Sequence, residues 1–365
     1  MTHPAKIDIA VIGGGAAGVF AAIIAKETHP NLQVALFEKS AVFLAKVKVS
    51  GGGRCNVTHS CFDPKKLVQN YPRGAQELLG PFHRFQPQDT IEWFEKRGVQ
   101  LKTEKDGRMF PTTNQSQTII DALLGEAKKL GVELYPRTHI TEIKERFHIY
   151  FRDGSSCISK KLILATGSSA EGFKFAESFG HTIIPPVPSL FTFNVPTSRL
   201  KELSGIAVPH AIVSLPAFKM KQEGPLLITH FGFSGPAVLK LSAWAARELH
   251  ACQYKTTIQI DWLPDEKTHL PKNLSKALAG SSKTLHADTY QMDGKTTHKE
   301  EFVTCGGVNL KEIDFRTMQS KIIPGLFFAG EILNIDGVTG GFNFQNAWTT
   351  GYLAGSACSL SGTIS

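Results

Sequence analysis

A glycine-rich turn near the start of the chain has the residue types and spacing of a phosphate-binding loop. Gly13, Gly15 and Gly18 form a GxGxxG pattern that follows an apolar run at residues 7–12. Glycines at these positions let the chain turn tightly and let backbone N–H groups approach a pyrophosphate at the start of the next helix. Glu38 follows at the distance where ribose hydroxyls need an acceptor. The pattern predicts a dinucleotide-binding unit, and its alternative is a glycine-rich turn in an unrelated α/β protein.

Two later apolar runs end in a glycine next to a polar side chain. The first ends in Thr166 and Gly167, and the second ends in Gly330 and Glu331. An acid at such a position accepts hydrogen bonds from ribityl hydroxyls, and the glycine lets the backbone approach the cofactor. In this order after the first loop, the two motifs favour FAD over NAD as the tightly bound nucleotide. We expect non-covalent FAD, with NADH or NADPH docking transiently as the electron donor.

Two further glycine-rich segments have the composition of a surface that faces a flat ring. Residues 50–56 read Ser-Gly-Gly-Gly-Arg-Cys-Asn, so that bare backbone can lie against a ring while polar side chains reach its edge. Residues 340–343 read Gly-Gly-Phe-Asn and open a predicted helix. The N–H groups at the start of that helix can stabilise negative charge at the N1 and C2 carbonyl positions of a flavin.

Four polar side chains are candidates for the chemistry at that ring. Cys55 could donate a proton to a substrate carbon if the neighbouring arginine tunes its thiol, and its alternative is to fill space beside the ring. Arg54 could hold a substrate carbonyl or phosphate, or it could brace the FAD pyrophosphate. His230, in a turn at residues 229–236, could carry protons or cap that turn. Asn56 would point its amide at the ring edge.

Strands and helices of an α/β protein must position these segments. Strands are predicted at residues 7–12, 33–37 and 162–165, and helices at 19–26, 89–97 and 118–130. The pattern then changes to short alternating strands, including 211–215 and 256–260, with one helix at 236–249.

The expected organisation is an FAD-binding domain that is interrupted by an insert. Residues 1–190 would form its first part, residues 191–305 an inserted β-rich substrate domain, and residues 306–365 its second part. Prolines 185, 186 and 188 break any helix and mark the exit from the first part. Residues 264–301 are the most polar stretch and are expected to be a surface excursion.

Composition is that of an ordinary globular protein. The 365 residues are 42% hydrophobic and 20% charged, and no apolar run approaches the length that spans a membrane. The residues before the first strand do not resemble a signal peptide, and the six cysteines form no zinc spacing. We expect a cytoplasmic protein with no membrane association and no metal.

Positive charge is concentrated in one part of the chain. Residues 41–110 carry twelve Lys and Arg against seven Asp and Glu, an excess of five within a net charge of +8. Such a segment could bind a polyanion, with Lys65, Lys66, Arg73 and Arg84 contacting RNA phosphates. Its alternative is that the flavin pyrophosphate and a generally basic proteome account for the charge.

Four motifs along the chain resemble the HI0933-like flavoproteins, also called aminoacetone oxidase-family FAD-binding enzymes. They are residues 50–56, the Asp-Gly-Arg-Met-Phe-Pro sequence at 106–111, the turn at 229–236, and residues 339–343. The resemblance implies a two-dinucleotide-fold-type FAD-binding (Rossmann-like) domain of the α/β class, interrupted by a β-rich insert with a small helical piece. It also implies redox activity.

The expected cofactor contacts combine the motifs with this resemblance. They are Gly13, Gly15, Ala16, Ala17, Gly18, Glu38, Lys39, Ala45, Lys46, Ser50, Gly51, Gly52, Ile140, Thr166, Gly167, Gly330, Glu331, Gly341, Phe342 and Asn343. The chain departs from the family before the Ser-Gly loop, where only Lys46 of a basic pair is kept. It also departs in a short loop after Gly167 and in a shortened helical insert, and these changes put the substrate in doubt rather than the FAD.

Three functions are compatible with these features. The leading hypothesis is hydride transfer from reduced FAD to a polarised C=C bond, with uridine in ribosomal RNA as the preferred substrate, because an RNA substrate explains the basic segment. The second is a small-molecule oxidase or reductase that acts on an amine or an enoyl-type substrate. The third is a flavin-containing RNA-binding protein without catalysis. The resemblance includes amine oxidase, bile-acid reductase and ribosomal-RNA dihydrouridine synthase activities.

Overall fold

The chain divides into two compact units. The computed structural model describes residues 3–265, 269–279, 285–296 and 303–359. One unit comprises Met1–Pro186 and Gly306–Ser365, and the other comprises Val187–Cys305. The chain therefore leaves the first unit four residues before the expected position at 190, and it returns at the expected one.

A twisted sheet with a parallel centre forms the middle of the first unit. Its parallel strands lie in the order Leu326–Phe328, Ser156–Leu164, Lys6–Ile12, Val34–Phe37 and Glu133–Tyr135. Two short antiparallel strands, Ile313–Asp314 and Gln319–Ser320, extend one edge, and a hairpin of Ile140–Lys144 and His148–Phe151 pairs with the long strand. Ile9, Val11, Leu162 and Leu164 are fully buried because such strands are covered on both faces.

Helices of this unit pack against the sheet and against one another. They are Ala16–Thr28, Ala45–Gly53, Pro64–Leu67, Ala75–Phe82, Pro87–Glu95, Ser116–Lys129, Ala170–Ser178 and Phe342–Ala357, with short 3-10 turns at Val68–Asn70, Glu145–Phe147, Leu310–Glu312 and Gly330–Ile332. A separate three-stranded sheet is formed by Thr58–His59, Arg108–Pro111 and Leu101–Thr103. The α/β Rossmann-like class is confirmed, and the predicted helices begin two or three residues earlier than expected.

Small residues set the close crossing of the first and last helices. A Cβ added at Gly351 would lie 2.8 Å from Ala17 O, and one added at Gly355 would lie 2.5 Å from Ala21 O. The two backbones therefore touch, which only glycine permits at these positions. The crossing fixes the position of Phe342–Ala357 against Ala16–Thr28.

An antiparallel sheet forms the second unit. Its strands lie in the order Asp288–Asp293, Lys255–Asp261, Ala207–Leu215, Met220–Thr229, Gly232–Ser234, Thr192–Asn194 and Lys295–Thr296. Its helices are Pro236–Trp244, Ala246–Ala251 and Lys272–Leu278, with 3-10 turns at Lys201–Leu203 and Pro216–Phe218. Strands Ile183–Ser189 and Val303–Val308 pair as a separate two-stranded sheet.

Two sequence-based expectations for the insert, the single helix at 236–249 and the surface excursion at 264–301, were wrong. The single helix expected at 236–249 is two helices, because Ala245 leaves helical geometry with φ −94° and ψ 19°. The proline run at 185–188, which was expected to break any helix and mark the exit from the first part, lies in the strand Ile183–Ser189 at the boundary between the two units. In the described parts of 264–301, Leu274, Tyr290 and Met292 are buried in the core of the insert. That polar stretch therefore supplies core residues between its solvated ones.

Candidate functional site

The GxGxxG turn connects the first strand to the first helix, and its three glycines have different surroundings. A Cβ added at Gly13, where φ is +107°, would lie 2.4 Å from Ala165 O, and one added at Gly18 would lie 1.9 Å from Gly13 O. At Gly15 an added Cβ would meet nothing within 4 Å. Packing therefore requires Gly13 and Gly18, whereas Gly15 keeps one side of the turn open at the unpaired N–H groups of Ala16–Thr28.

Glu38 lies beside this turn. Its Oε2 accepts a hydrogen bond from Gly14 N at 2.7 Å, and its Oε1 accepts one from Ser40 N at 2.7 Å. A carboxylate has about four acceptor positions, so capacity for ribose hydroxyls remains after these two bonds. Thr138 N donates to Glu38 O at 2.9 Å, which brings the segment leading to the buried Ile140 next to Glu38.

Three distant segments meet at the carboxyl ends of the parallel strands. Lys46 Nζ donates to Glu331 Oε2 at 2.8 Å, and a Cβ added at Gly167 would lie 3.8 Å from the same oxygen. Gly330 N donates to Thr350 Oγ1 at 2.9 Å, which ties this strand end to the last helix. Thr166 Oγ1 is buried and has no hydrogen-bond partner among the residues that the structure describes.

The remaining expected contacts lie around these groups. Ala17 is buried, and a Cβ added at Gly330 would lie 2.7 Å from the Ala17 Cβ. Ala45 is exposed at the start of the helical segment Ala45–Gly53. Lys39 Nζ pairs with Glu171 Oε2 at 3.1 Å on the surface. The lysine is thereby held near the strand end that carries Glu38.

The Ser-Gly-Gly-Gly segment turns sharply and is partly open. Ser50 is extended, with ψ 148°, and Gly51, Gly52 and Gly53 have φ values of +58°, +68° and +81°. A Cβ added at Gly51 would lie 3.1 Å from Phe110 Cε1, whereas nothing lies within 4 Å of one added at Gly52 or Gly53. The last two glycines are exposed, so bare backbone faces the space where a flat ring could lie.

The segment that opens the last helix lies next to the Ser-Gly-Gly-Gly segment. A Cβ added at Gly341 would lie 2.5 Å from Thr58 O and 3.0 Å from Asn56 Oδ1. Gly341 precedes Phe342–Ala357 and has φ +95°. The N–H groups at the start of this helix therefore lie beside residues 50–56. If a flavin ring lies against that segment, these N–H groups can stabilise negative charge at its N1 and C2 carbonyl.

The two asparagine side chains hold loops together. Asn56 Oδ1 accepts from Met109 N at 3.3 Å. Asn343 Oδ1 accepts from Gly337 N at 2.8 Å, and its Nδ2 donates to Gly337 O at 2.9 Å. Both of its polar atoms are engaged, so Asn343 contributes to the candidate site through its backbone N–H and through the shape of the Gly337 loop.

Arg54 has a different environment from the one expected. Its Nη1 donates to Glu104 Oε1 at 2.7 Å, and its guanidinium lies 4.0 Å from the centroid of the Phe110 ring. Arg108 Nη2 donates to Glu104 Oε2 at 3.2 Å, so two arginines share one carboxylate. This cluster lies near the Ser-Gly-Gly-Gly segment, and the sequence reasoning missed Glu104 and Phe110.

Cys55 does not have the tuned thiol that its neighbour suggested. Its side chain is fully buried and its φ is +59°. Burial raises the pKa of the Cys55 thiol from about 9 to about 12, and a hydrogen bond with Ser50 opposes only part of that effect. Arg54 is neutralised by Glu104 and does not lower the pKa. The geometry corresponds to the space-filling alternative.

His59, which the sequence analysis did not single out, lies beside the candidate site. Its ring stacks on Phe342 with centroids 4.7 Å apart, and its Nε2 lies 3.1 Å from Asp106 O. Strand pairing places His59 opposite Arg108. The motif at residues 106–111 could have pointed to His59, because it contains the strand that pairs with residues 58–59. That pairing depends on tertiary structure and cannot be recognised from the sequence.

His230 lies in the second unit, at the tip of a hairpin. It is exposed between Met220–Thr229 and Gly232–Ser234. Thr229 Oγ1 accepts from Gly232 N at 3.1 Å and closes the turn. The turn is thus capped by a threonine rather than by the histidine, which leaves the imidazole exposed to solvent.

The expected phosphate contacts in the basic segment divide into two groups. Arg73 pairs with the buried carboxylate of Asp336, so it is a structural ion pair and the expectation of a phosphate contact was wrong. Lys65, Lys66 and Arg84 are exposed. Arg84 also donates to the carbonyl oxygen of Arg316.

The described residues contain neither a metal-binding cluster nor a membrane-spanning helix. Among the described residues, no group of three or more His, Cys, Asp and Glu side chains could hold a metal ion. No helix within those residues is both long enough and apolar enough to cross a membrane.

The residues gathered in the first unit fit FAD. The open side at Gly15 suits a pyrophosphate, Glu38 suits a ribose, and Lys46 with Glu331 suits a ribityl chain. Gly52 and Gly53 leave the room that a ring needs, and the unpartnered Thr166 Oγ1 is a buried polar atom beside the same strand ends.

Known proteins resemble the chain over nearly its whole length. Ribosomal RNA dihydrouridine synthase of Escherichia coli is 28% identical over 394 residues, covering 95% of this chain and 96% of that protein. The 3-dehydro-bile acid delta(4,6)-reductase of Clostridium scindens is 26% identical and covers 96% and 98%. A 3-ketosteroid-delta4-(5alpha)-dehydrogenase structure from Rhodococcus jostii has a TM-score of 0.57 at 12% identity, with 98% of each chain covered, and therefore shows similarity of fold alone.

A family profile covers both the cofactor motifs and the insert. The HI0933-like protein Rossmann domain matches residues 7–357. This range includes the GxGxxG turn, the Ser-Gly-Gly-Gly segment and the Gly-Gly-Phe-Asn helix start. The protein belongs to the HI0933-like family and is an FAD-dependent oxidoreductase.

Proposed function

We propose that this protein reduces the C5=C6 bond of uridine in ribosomal RNA to give dihydrouridine. Reduced FAD, when bound, supplies a hydride to one carbon of the double bond, and a proton completes the other. NADH or NADPH is the proposed source of the electrons and docks transiently. A ribosomal substrate would place the protein in the cytoplasm.

An exposed aromatic ring beside two lysines carries this proposal. Phe62 is 45% exposed, in the loop between His59, whose ring stacks on Phe342, and the helix Pro64–Leu67. Lys65 and Lys66 on that helix are exposed as well. An accessible aromatic ring with adjacent cations is the combination that binds single-stranded nucleic acid, by base stacking and phosphate attraction. The chain connects this surface to His59, which contacts Phe342 at the start of the last helix.

The roles of the surrounding residues follow from their contacts. Glu104 accepts a hydrogen bond from one N–H of Arg54, whose guanidinium lies over the Phe110 ring, and this leaves other N–H donors to bind a uracil carbonyl. This is the substrate-binding alternative for Arg54. Asn56 accepts a hydrogen bond from the backbone of Met109 and so orders that backbone. Cys55 is buried and fills space beneath the glycine-rich loop. His230 remains a proposal for the proton donor.

The relatives support reduction of a C=C bond more strongly than they support one substrate. The Escherichia coli relative is named for dihydrouridine synthesis in ribosomal RNA, and dihydrouridine is uridine with that double bond saturated. The relative from Clostridium scindens is named as a bile acid reductase. Both align with almost the entire chain, so the type of reaction is the shared feature.

Nucleoside mass spectrometry tests the proposal. Ribosomal RNA from a strain that lacks this protein should lose one dihydrouridine, and expression of the wild-type chain should restore it. Phe62→Ala should restore much less, whereas Phe62→Tyr, which keeps a stacking ring, should behave like wild type. An unchanged dihydrouridine content in the deletion strain would contradict the proposal.

A small-molecule reductase is the second candidate, favoured by the match to the bile acid reductase over 96% of the chain. Purified holoprotein can be supplied with NADH or NADPH and either unmodified ribosomal RNA or a 3-oxo-4-ene steroid. Flavin reoxidation driven by the steroid, without any driven by RNA, would support this candidate. In that case Phe62→Ala should have little effect on turnover when the flavin is saturated.

A further inference from the structure

A groove on the first unit lies apart from the residues that fit FAD. Its volume is about 540 Å³. It lies between the helix Ala75–Phe82 and the hairpin of Ile313–Asp314 and Gln319–Ser320. Its lining includes apolar surface from Pro81, Leu310 and Phe315.

Four cations line this groove, one that follows the helix Ala75–Phe82 and three from residues 311–321. They are Arg84, Lys311, Arg316 and Lys321, and all four are exposed. The acids in the lining are Glu77 and Asp314. The groove therefore has an excess of positive charge at neutral pH, which attracts anions.

Hydrogen bonds to backbone carbonyls hold two of these cations in position. Arg84 donates to Arg316 O, and Lys321 Nζ donates to Lys311 O at 2.9 Å. Because carbonyl acceptors are uncharged, these bonds orient the head groups without neutralising them. Arg316 pairs with Asp314 at 2.8 Å, but its side chain is 88% exposed, so solvent weakens that pair.

The hairpin turn that carries Phe315 and Arg316 lies at the same end of the sheet as the flavin-binding residues, whereas Lys311 and Lys321 lie at the other end of the hairpin. Phe328 N donates to Met318 O at 3.0 Å, which places the hairpin turn at the carboxyl end of the strand Leu326–Phe328. That strand leads directly into Gly330 and Glu331. Ligands of open α/β sheets bind at the carboxyl ends of the strands. A chain molecule that occupies the groove can therefore continue toward the flavin.

We propose that this groove binds the sugar-phosphate backbone of the RNA strand that flanks the target nucleotide. The inference rests on the proposed RNA substrate. An extended backbone fits better than a free mononucleotide, because none of the charged side chains in the lining is buried. Small-molecule sites enclose most of their ligand, whereas phosphate chains are bound by exposed Lys and Arg. Phe315 and Leu310 offer apolar contacts for the sugars.

The test uses the holoprotein and a pair of matched double variants. Lys311→Gln with Arg316→Gln removes two groove charges. The control is Lys128→Gln with Lys129→Gln, which removes two exposed charges from the end of the helix Ser116–Lys129. This helix leads into the strand Glu133–Tyr135, which lies at the edge of the sheet opposite the groove hairpin. The probe is a fluorescent single-stranded oligouridylate, whose affinity is measured across a series of KCl concentrations.

The groove variant should bind the oligouridylate about five- to tenfold more weakly at low salt. The slope of log affinity against log salt should fall by about 1.4, from about 0.7 for each phosphate contact on a single strand. The control variant should match wild type in both measurements. Reduction of the flavin by NADH or NADPH without RNA should be unchanged in both variants, because neither changes a flavin-binding residue.

Three outcomes would overturn the groove assignment. They are equal losses of affinity in both double variants, an unchanged salt slope in the groove variant, and a raised KM for NADPH with RNA binding intact, which would make the groove a mononucleotide site. The mass spectrometry of dihydrouridine is independent of these measurements. A groove variant that binds RNA normally, in a protein that still makes dihydrouridine, would reject the groove and leave the proposed function standing.

Discussion

Residues 13–18 and residues 50–53 are both glycine-rich, yet an added methyl group would meet very different surroundings in the two loops. At Gly18 it would overlap the backbone of Gly13 at 1.9 Å, whereas at Gly53 it would meet nothing within 4 Å. Gly53 instead has a left-handed φ of +81°. Glycine is required in the first loop mainly by packing of the chain on itself. In the second loop it is required by backbone conformation and by the room that a ring needs.

The largest effect should come from Gly18→Ala. The added Cβ cannot be accommodated without moving the first helix, so the apoprotein should lose at least about 3 kcal/mol of unfolding free energy. Urea denaturation measures this. Gly15→Ala is the control, because its Cβ has open space, and it should stay within about 1 kcal/mol of wild type while weakening FAD binding. Equal apoprotein stabilities for the two variants would contradict the packing explanation.

Glu38→Ala should have the next largest effect, on FAD affinity. The change removes an acceptor for ribose hydroxyls and the two hydrogen bonds that order Gly14 and Ser40. We expect binding to weaken by about 1–3 kcal/mol, measured as the flavin dissociation constant by fluorescence. Glu38→Gln keeps one acceptor oxygen and should lie between wild type and Glu38→Ala. An unchanged constant in the alanine variant would remove Glu38 from the adenosine end.

Cys55→Ala tests whether the buried thiol contributes packing next to the glycine-rich loop at residues 50–53. Loss of the buried thiol should destabilise the protein by about 1–2 kcal/mol, while most turnover is retained. The raised thiol pKa adds a pH signature: above about pH 9 the unfolded thiol ionises but the folded one, with a pKa of about 12, does not. Wild-type stability should therefore fall more steeply with rising pH than that of the variant. Complete loss of turnover with normal flavin reduction would return Cys55 to the mechanism.

Gly53→Ala should cost no more than Cys55→Ala, since only backbone conformation resists the change. A left-handed residue with a Cβ costs about 1–2 kcal/mol, and asparagine tolerates this region better than alanine does. Gly53→Asn should therefore be the more stable variant in thermal unfolding of the apoprotein. If alanine and asparagine destabilise equally, close packing rather than conformation controls this loop, and the contrast with Gly18 disappears.

Local patterns predicted the elements more reliably than the contacts of individual side chains. The strand at Lys6–Ile12, the turn at Gly13 and the helix at Ala16–Thr28 were recognisable because apolar runs and glycine spacing act over a few residues. The environment of Arg54 was not recognisable in the same way. Glu104 and Phe110 follow it by about fifty residues, and strand pairing rather than sequence proximity brings them together.

The charged residues show the same limit. Arg73 and Arg84 look alike in sequence, and both were expected to contact phosphate. Arg73 pairs with Asp336, whose carboxylate is fully buried, whereas Arg84 lies exposed in the groove. A buried carboxylate needs a charged partner, but nothing near Arg73 in the sequence indicates that the acid lies there. The sequence gives the number of positive charges in residues 41–110. Only the fold distinguishes cations that form buried ion pairs, such as Arg73, from exposed cations that can bind a ligand, such as Arg84.

The sequence by itself determined the family, the α/β class and the dinucleotide turn, because backbone geometry at Gly13 and Gly18 restricts residue type locally. It also indicated which strand ends carry Thr166 and Glu331. Tertiary structure decided the rest: that Lys46 meets Glu331, that Cys55 is buried, and that His59 stacks on Phe342. These outcomes depend on which distant segments pack together, since burial and opposite charges, rather than spacing along the chain, set the chemistry of a side chain.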